Sequence, residues 1–101
     1  MQYKKIILDN INCNNNSFIY HLHEKEHFSN VSFDNLKISI ESSANSLSKL
    51  EKDKIIDILL FSLSSLVYSL DQSDSYKINN KSNIDISYVT ESIIELIKIL
   101  L

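Results

Sequence analysis

Neither glycine nor proline occurs anywhere in the 101 residues of this chain. Glycine is the residue that enters left-handed backbone cheaply, and phosphate loops, dinucleotide-binding turns and nucleophile elbows all depend on it. Sites of those kinds are excluded, and every turn must be made from other residues. Asparagine is the natural substitute, because it tolerates the left-handed region and hydrogen-bonds its own main chain. The run Asn14-Asn15-Asn16 and the pair Asn79-Asn80 read as turns for that reason.

The remaining composition narrows the functional classes. A chain of this length supports one domain around one core, spanning residues 1–101. All ten cations are lysines and the net charge is −3. Without arginine there is no planar fork to read guanine edges or clamp phosphate, so nucleic acid is not an expected partner. Lys4 and Lys5 precede only Ile6-Ile7-Leu8 before Asp9 intervenes, too short an apolar stretch for a signal peptide, and the expectation is a cytoplasmic protein. The longest apolar stretch, Ile55 to Leu70, carries Asp57 and four serines. It falls short of the roughly 20 residues a membrane span requires, so no membrane partner is expected either. Cys13 is the lone cysteine and sits between Asn12 and Asn14, with no cation beside it to activate the thiol.

Hydrophobic spacing predicts a mainly α chain, a compact helical domain of three to four helices with room for a minor two-stranded β element. The isoleucine-rich segment from Lys4 to Ile11 reads as a short strand or extended arm ending in a turn, and Tyr76-Lys77-Ile78 as an extended piece able to pair with it. Ser17 caps a first short helix that buries Phe18, Ile19 and Leu22 and fades near His27-Phe28. Ser29 or Ser32 caps a second, with Phe33, Leu36, Ile40, Ala44 and Leu47 along one stripe. Ser48-x-x-Glu51 is a capping box ahead of the longest helix. There Ile55, Ile56, Leu59, Leu60, Leu63, Val67 and Leu70 form one wide face, and Ile58, Phe61 and Leu66 add apolar residues elsewhere, which predicts a central helix buried on most sides. Asp71-Gln72-Ser73-Asp74 reads as an acidic loop. Asp85 or Ser87 begins the last helix, which turns Val89, Ile93, Leu96, Ile97 and Leu100 inward and Glu91, Glu95 and Lys98 outward.

One short motif looks like chemistry. His23-Glu24-Lys25-Glu26-His27 matches H-E-x-x-H, in which two histidines one helical turn apart bind zinc and the glutamate activates water. The charged Lys25 and Glu26 occupy its middle positions, and His21, two residues before His23, points to the opposite side of a helix. Glu41 or Glu51 would have to supply a third ligand. The stronger reading is a solvated, charged helix end with no metal and no cofactor.

The segments Asn10-Ile11-x-Cys13, Ser17-Phe18-Ile19-x-x-Leu22-His23-Glu24, Phe28 and Phe33-x-x-Leu36 resemble the start of a bacterial immunity-protein family, the forty-first catalogued among polymorphic toxin systems, which include contact-dependent growth inhibition. The likeness continues through a hydrophobic helix, Asp74-Ser75-Tyr76-Lys77-Ile78 and a final amphipathic helix. Where family members carry a tryptophan or other aromatic after the first helix, this chain has Phe33. The resemblance implies a non-enzymatic protein that binds the C-terminal domain of a cognate toxin one-to-one in the cytosol and blocks its active site or substrate groove. An acidic inhibitor suits a basic nuclease, because opposite charge steers the encounter. Exposed polar positions on loops and helix ends are the places to look for contacts, and they nominate Glu24, Glu26, Asp71, Asp74 and Tyr76, the tyrosine as an interface anchor. A helical adaptor docking a partner or a second copy through Ile97-Lys98-Ile99-Leu100-Leu101 is the competing reading, and a zinc hydrolase at residues 23–27 a distant third.

Overall fold

A computed structural model describes residues 2–70 and 78–101. Among them are five α-helices and no strand: α1 (Tyr3–Ile11), α2 (Phe18–Lys25), α3 (Asn30–Ser43), α4 (Lys49–Leu70) and α5 (Ile86–Leu100). The mainly α expectation holds, while the count exceeds the expected three to four because the segment predicted as a strand is α1. Tyr76 and Lys77 lie outside the described residues, and the helical Lys4–Ile11 leaves their proposed pairing without a strand partner.

Strand propensity misleads at α1 because it measures fit to a packed surface more than any backbone preference. Ile7 and Asn10 are fully buried and Ile11 packs on the core beside them, a spacing of three and four that places all three on one helical face. Lys5 adds an ion pair to Asp9 one turn on, at 2.8 Å. Asn10 then holds the next helix: its Nδ2 donates to the Ile6 carbonyl at 2.9 Å, and its Oδ1 accepts from the Ile19 N–H at 3.0 Å, in the first turn of α2.

The chain turns from α1 to α2 without glycine. Cys13, at φ 53°, takes the left-handed position, with its N–H on the Asn10 carbonyl and the Asn14 N–H on the Asp9 carbonyl. These are the two bonds of a Schellman stop, at a position where glycine is usual. Ser17 caps α2 by accepting from the Tyr20 N–H, Ser29 caps α3 through the Ser32 N–H, and Asp85 caps α5 through the Tyr88 N–H. The capping box forms in both directions, Glu51 N–H to Ser48 Oγ at 3.1 Å and Ser48 N–H to Glu51 Oε1 at 2.9 Å.

Helices α1 and α5 each pack against both α3 and α4, and α2 leans on α1, α3 and α4. At the centre Phe18, Phe28 and Phe33 form a triangle of ring contacts, with centroids 5.2 to 5.5 Å apart. Around it lie Leu22, Leu36, Ile40, Ile55, Leu59, Ile93 and Leu96, all fully buried or nearly so.

Helix α4 is rotated from the expected orientation. Its buried stripe is Ile55, Leu59, Ser62, Leu66 and Ser69, with Ser65 at the flank, while Leu60, Phe61, Val67 and Leu70 face water. Serines hold inward positions because a small side chain lets neighbouring helices approach, and Ser62 satisfies its hydroxyl on the Ile58 carbonyl at 2.8 Å. Leu66, assigned away from the main face, belongs to the core, and α4 is half exposed rather than enclosed. No helix among the described residues is long and apolar enough to cross a membrane.

Candidate functional site

The outward side of α4 begins charged, with Asp53 and Asp57 exposed, and becomes apolar from Leu60 onward. Leu60 is 46% exposed, Phe61 36%, Val67 56% and Tyr68 52%. Their spacing places them around Ser64 on one side of the helix, so they form a continuous stripe rather than scattered residues. A contiguous exposed apolar surface is a candidate for docking, whereas single exposed leucines require no explanation.

The end of α2 meets this stripe at Phe61. His23 stacks at a tilt on Phe61 with ring centroids 5.6 Å apart, and its Nδ1 donates to Glu24 Oε1 at 2.9 Å. Between the two helices runs a mostly apolar groove of about 270 Å³, lined by Cys13, Ile19, His23, Asp57, Ile58 and Phe61. Glu24, nominated from sequence, is thus held by the histidine that stacks on Phe61.

Glu26 is placed differently. It ends α2 in left-handed backbone at φ 50°, its side chain exposed and its carbonyl accepting from the Asn79 N–H at 2.7 Å. Asp71, Asp74 and Tyr76 lie outside the described residues, although α4 leads directly into them in the sequence.

The H-E-x-x-H geometry does not form. The helix stops at Lys25, so His27 lies beyond it and does not share a helical face with His23. His27 Nδ1 donates to Asn79 Oδ1 at 3.1 Å. The ligands nominated to complete a zinc site are elsewhere: Glu51 is held by Ser48 and Lys4, and Glu41 lies on the outer side of α3. Among the described residues no group of three or more histidine, cysteine, aspartate or glutamate side chains converges to hold a metal. The C-terminal run is also divided, Leu100 being in the core and Ile97 packed against it, while Ile99 and Leu101 are exposed.

Sequence reading missed a second construction, the seam between the loop after α2 and the loop before α5. Asn80 presents both ends of its amide to one residue, accepting from the Phe28 N–H at 2.8 Å and donating to the Phe28 carbonyl at 2.7 Å. Asn79 donates through Nδ2 to the Lys25 carbonyl at 2.9 Å. The two amides imitate a strand edge and fix the end of α2, and with it His23 and Glu24. The asparagine pair was a visible signal of a turn, but its partners are more than 50 residues away in sequence. No family model matches this chain, and searches of curated proteins and of solved structures return no match.

Proposed function

We propose that this chain is an immunity protein, a binding module that neutralises the C-terminal domain of a bacterial toxin by covering its active site or substrate groove in the cytoplasm. The observation that carries the reading is the water-facing apolar stripe Leu60, Phe61, Val67 and Tyr68, met at Phe61 by His23. The sequence resemblance supplies the kind of partner, and the stripe supplies a surface whose burial would drive association at roughly 25 cal/mol per Å² before the costs of docking. Glu24, and Asp57 in the groove lining beside His23, add the negative charge that would orient a basic nuclease on approach.

The test is growth rescue. The toxic C-terminal domain encoded beside this gene is expressed with the wild-type chain and with a Leu60→Asp/Val67→Asp variant. Survival with wild type, and death with a variant whose melting temperature is unchanged, is the expected result, since both positions are exposed. Failure of the wild-type chain to rescue, or the lack of any toxin gene beside it, would overturn the reading.

A further inference from the structure

We infer that the groove between α3 and α5 is a separate docking site for a basic helical segment of a partner protein. The groove has a volume of about 360 Å³ and is lined by Lys37, Glu41, Tyr88, Glu91, Ser92, Glu95 and Ile99, none of which belongs to the α4 stripe. Its charge is predominantly negative. Lys98 lies 3.7 Å from Glu95, whereas Glu41 and Glu91 make no ion pair among the described residues.

The tyrosine in the groove is fixed from two sides. Tyr88 donates its hydroxyl to Asp34 Oδ1 at 3.0 Å, and Lys37 Nζ sits 5.5 Å from the ring centroid. An aromatic ring immobilised before binding costs less entropy to use as an anchor.

Ser92 supplies an independent observation. It is only 6% exposed and lines the groove, yet its hydroxyl has no hydrogen-bond partner among the described residues. Ser39 and Ser62 each bond the carbonyl four residues earlier, and Ser92 does not. A buried hydroxyl left unpaired carries a desolvation penalty, so the groove holds a polar group still to be satisfied.

These features select a cation carried on an apolar stem. A lysine or arginine head would reach Glu41 and Glu91 and donate to Ser92 Oγ, while its methylenes lie on Ile99 and the Tyr88 ring. The lining runs from Tyr88 to Ile99 along α5, about 16 Å at helical rise, which is three turns and longer than one side chain. An amphipathic helix with basic residues spaced three and four apart matches that length, and the carboxylates disfavour nucleic acid or a phosphorylated segment.

The probe is a short synthetic amphipathic helix bearing arginine and lysine along one face, with an acidic-faced peptide of the same pattern as control. Amide shifts of the intact chain are followed during titration, and affinity is read by fluorescence anisotropy. The expected result is shifts at Glu41, Tyr88, Glu91 and Ser92, with binding weakened as salt rises from about 50 to about 300 mM. Glu41→Gln/Glu91→Gln weakens binding about tenfold with an unchanged melting temperature, as loss of charge-assisted bonds would. Ser92→Ala weakens binding while leaving stability equal or higher, because it removes an unpaired hydroxyl. Equal affinity in the glutamine variant, equal binding of the acidic control, or shifts confined to Leu60, Phe61 and Val67 would overturn the inference. The rescue experiment on the α4 stripe stands or falls separately.

Discussion

Among the described residues, two carry the cost of a chain without glycine. Cys13 and Glu26 occupy left-handed backbone at the ends of α1 and α2, a conformation that costs roughly 1–2 kcal/mol for a residue with a Cβ. Asparagine visits this region most readily, yet the neighbouring asparagines do other work: Asn14 donates its side-chain amide to Asp9, and Asn79 and Asn80 bind the distant loop. Cys13→Asn is therefore expected to raise stability by about 0.5–1 kcal/mol, whereas Cys13→Val, branched at Cβ, lowers it by more than about 1 kcal/mol. Urea midpoints of the three proteins decide the matter, and a valine variant as stable as wild type would show that the turn is not strained. Asn80→Ala removes two bonds to Phe28 at a half-buried site and is expected to cost about 2 kcal/mol. If its urea midpoint matches wild type, the amide bridge contributes no stability.

At the scale of elements, what was legible depended on how local the cause was. The capping box at Ser48 and Glu51, the cap at Ser17 and the inward stripe of α5 follow from residues within a turn or two of one another and form as their spacing predicts, and of the alternatives left open Ser29 and Asp85 supply the caps. The stripe of α3 forms through Phe33, Leu36 and Ile40, but the helix ends at Ser43, so Ala44 and Leu47 reach the core from beyond it. The misreadings of α4 and α1 have distant causes. On α4 the buried serines are chosen by neighbouring helices, so counting apolar residues placed Ile55, Ile56, Leu59 and Leu63 rightly against the core but turned Leu60, Val67 and Leu70 inward wrongly. On α1 the helix is chosen by the surfaces of α3 and α4. Glu24 was legible as an exposed charge, but the stripe that its histidine neighbour meets depended on that same rotation of α4. Nine residues are too few to nucleate a stable helix alone. A peptide covering residues 2–16 is therefore expected to show little helical circular dichroism, while Ile7→Ala in the whole chain costs about 2–5 kcal/mol by leaving a cavity. Strong helicity in the peptide would place the cause in local propensity instead.

Among the described residues, helices distant in sequence are joined by few charged contacts, and one of them has a pH signature. The radius of gyration is 13.0 Å, as expected for a compact chain of this length. Lys4 on α1 reaches Glu51 on α4 at 3.0 Å, the same carboxylate that accepts from the Ser48 N–H. Those contacts, the Ser48 backbone bond foremost and Lys4 next, hold the Glu51 carboxyl below its ordinary 4.5. Asp9, bonded first by Lys5 and then by Asn14, is held below 3.8. A carboxyl whose folded value is depressed favours the folded state in its charged form. Its contribution is complete above the ordinary value and disappears as pH falls through the lowered one. Stability against urea should thus hold steady down to about pH 4.5 for the Glu51 share and decline progressively below it, with Asp9 joining below about 3.8. Glu51→Gln retains an acceptor for the Ser48 N–H but has no charge to lose, and Asp9→Asn likewise. The double variant is expected to start with a lower urea midpoint at pH 7 and to show a shallower decline in acid than wild type. An identical acid slope in the double variant would move the origin of acid sensitivity to other carboxylates, and the link from Lys4 to Glu51 would then be geometry without energetic consequence.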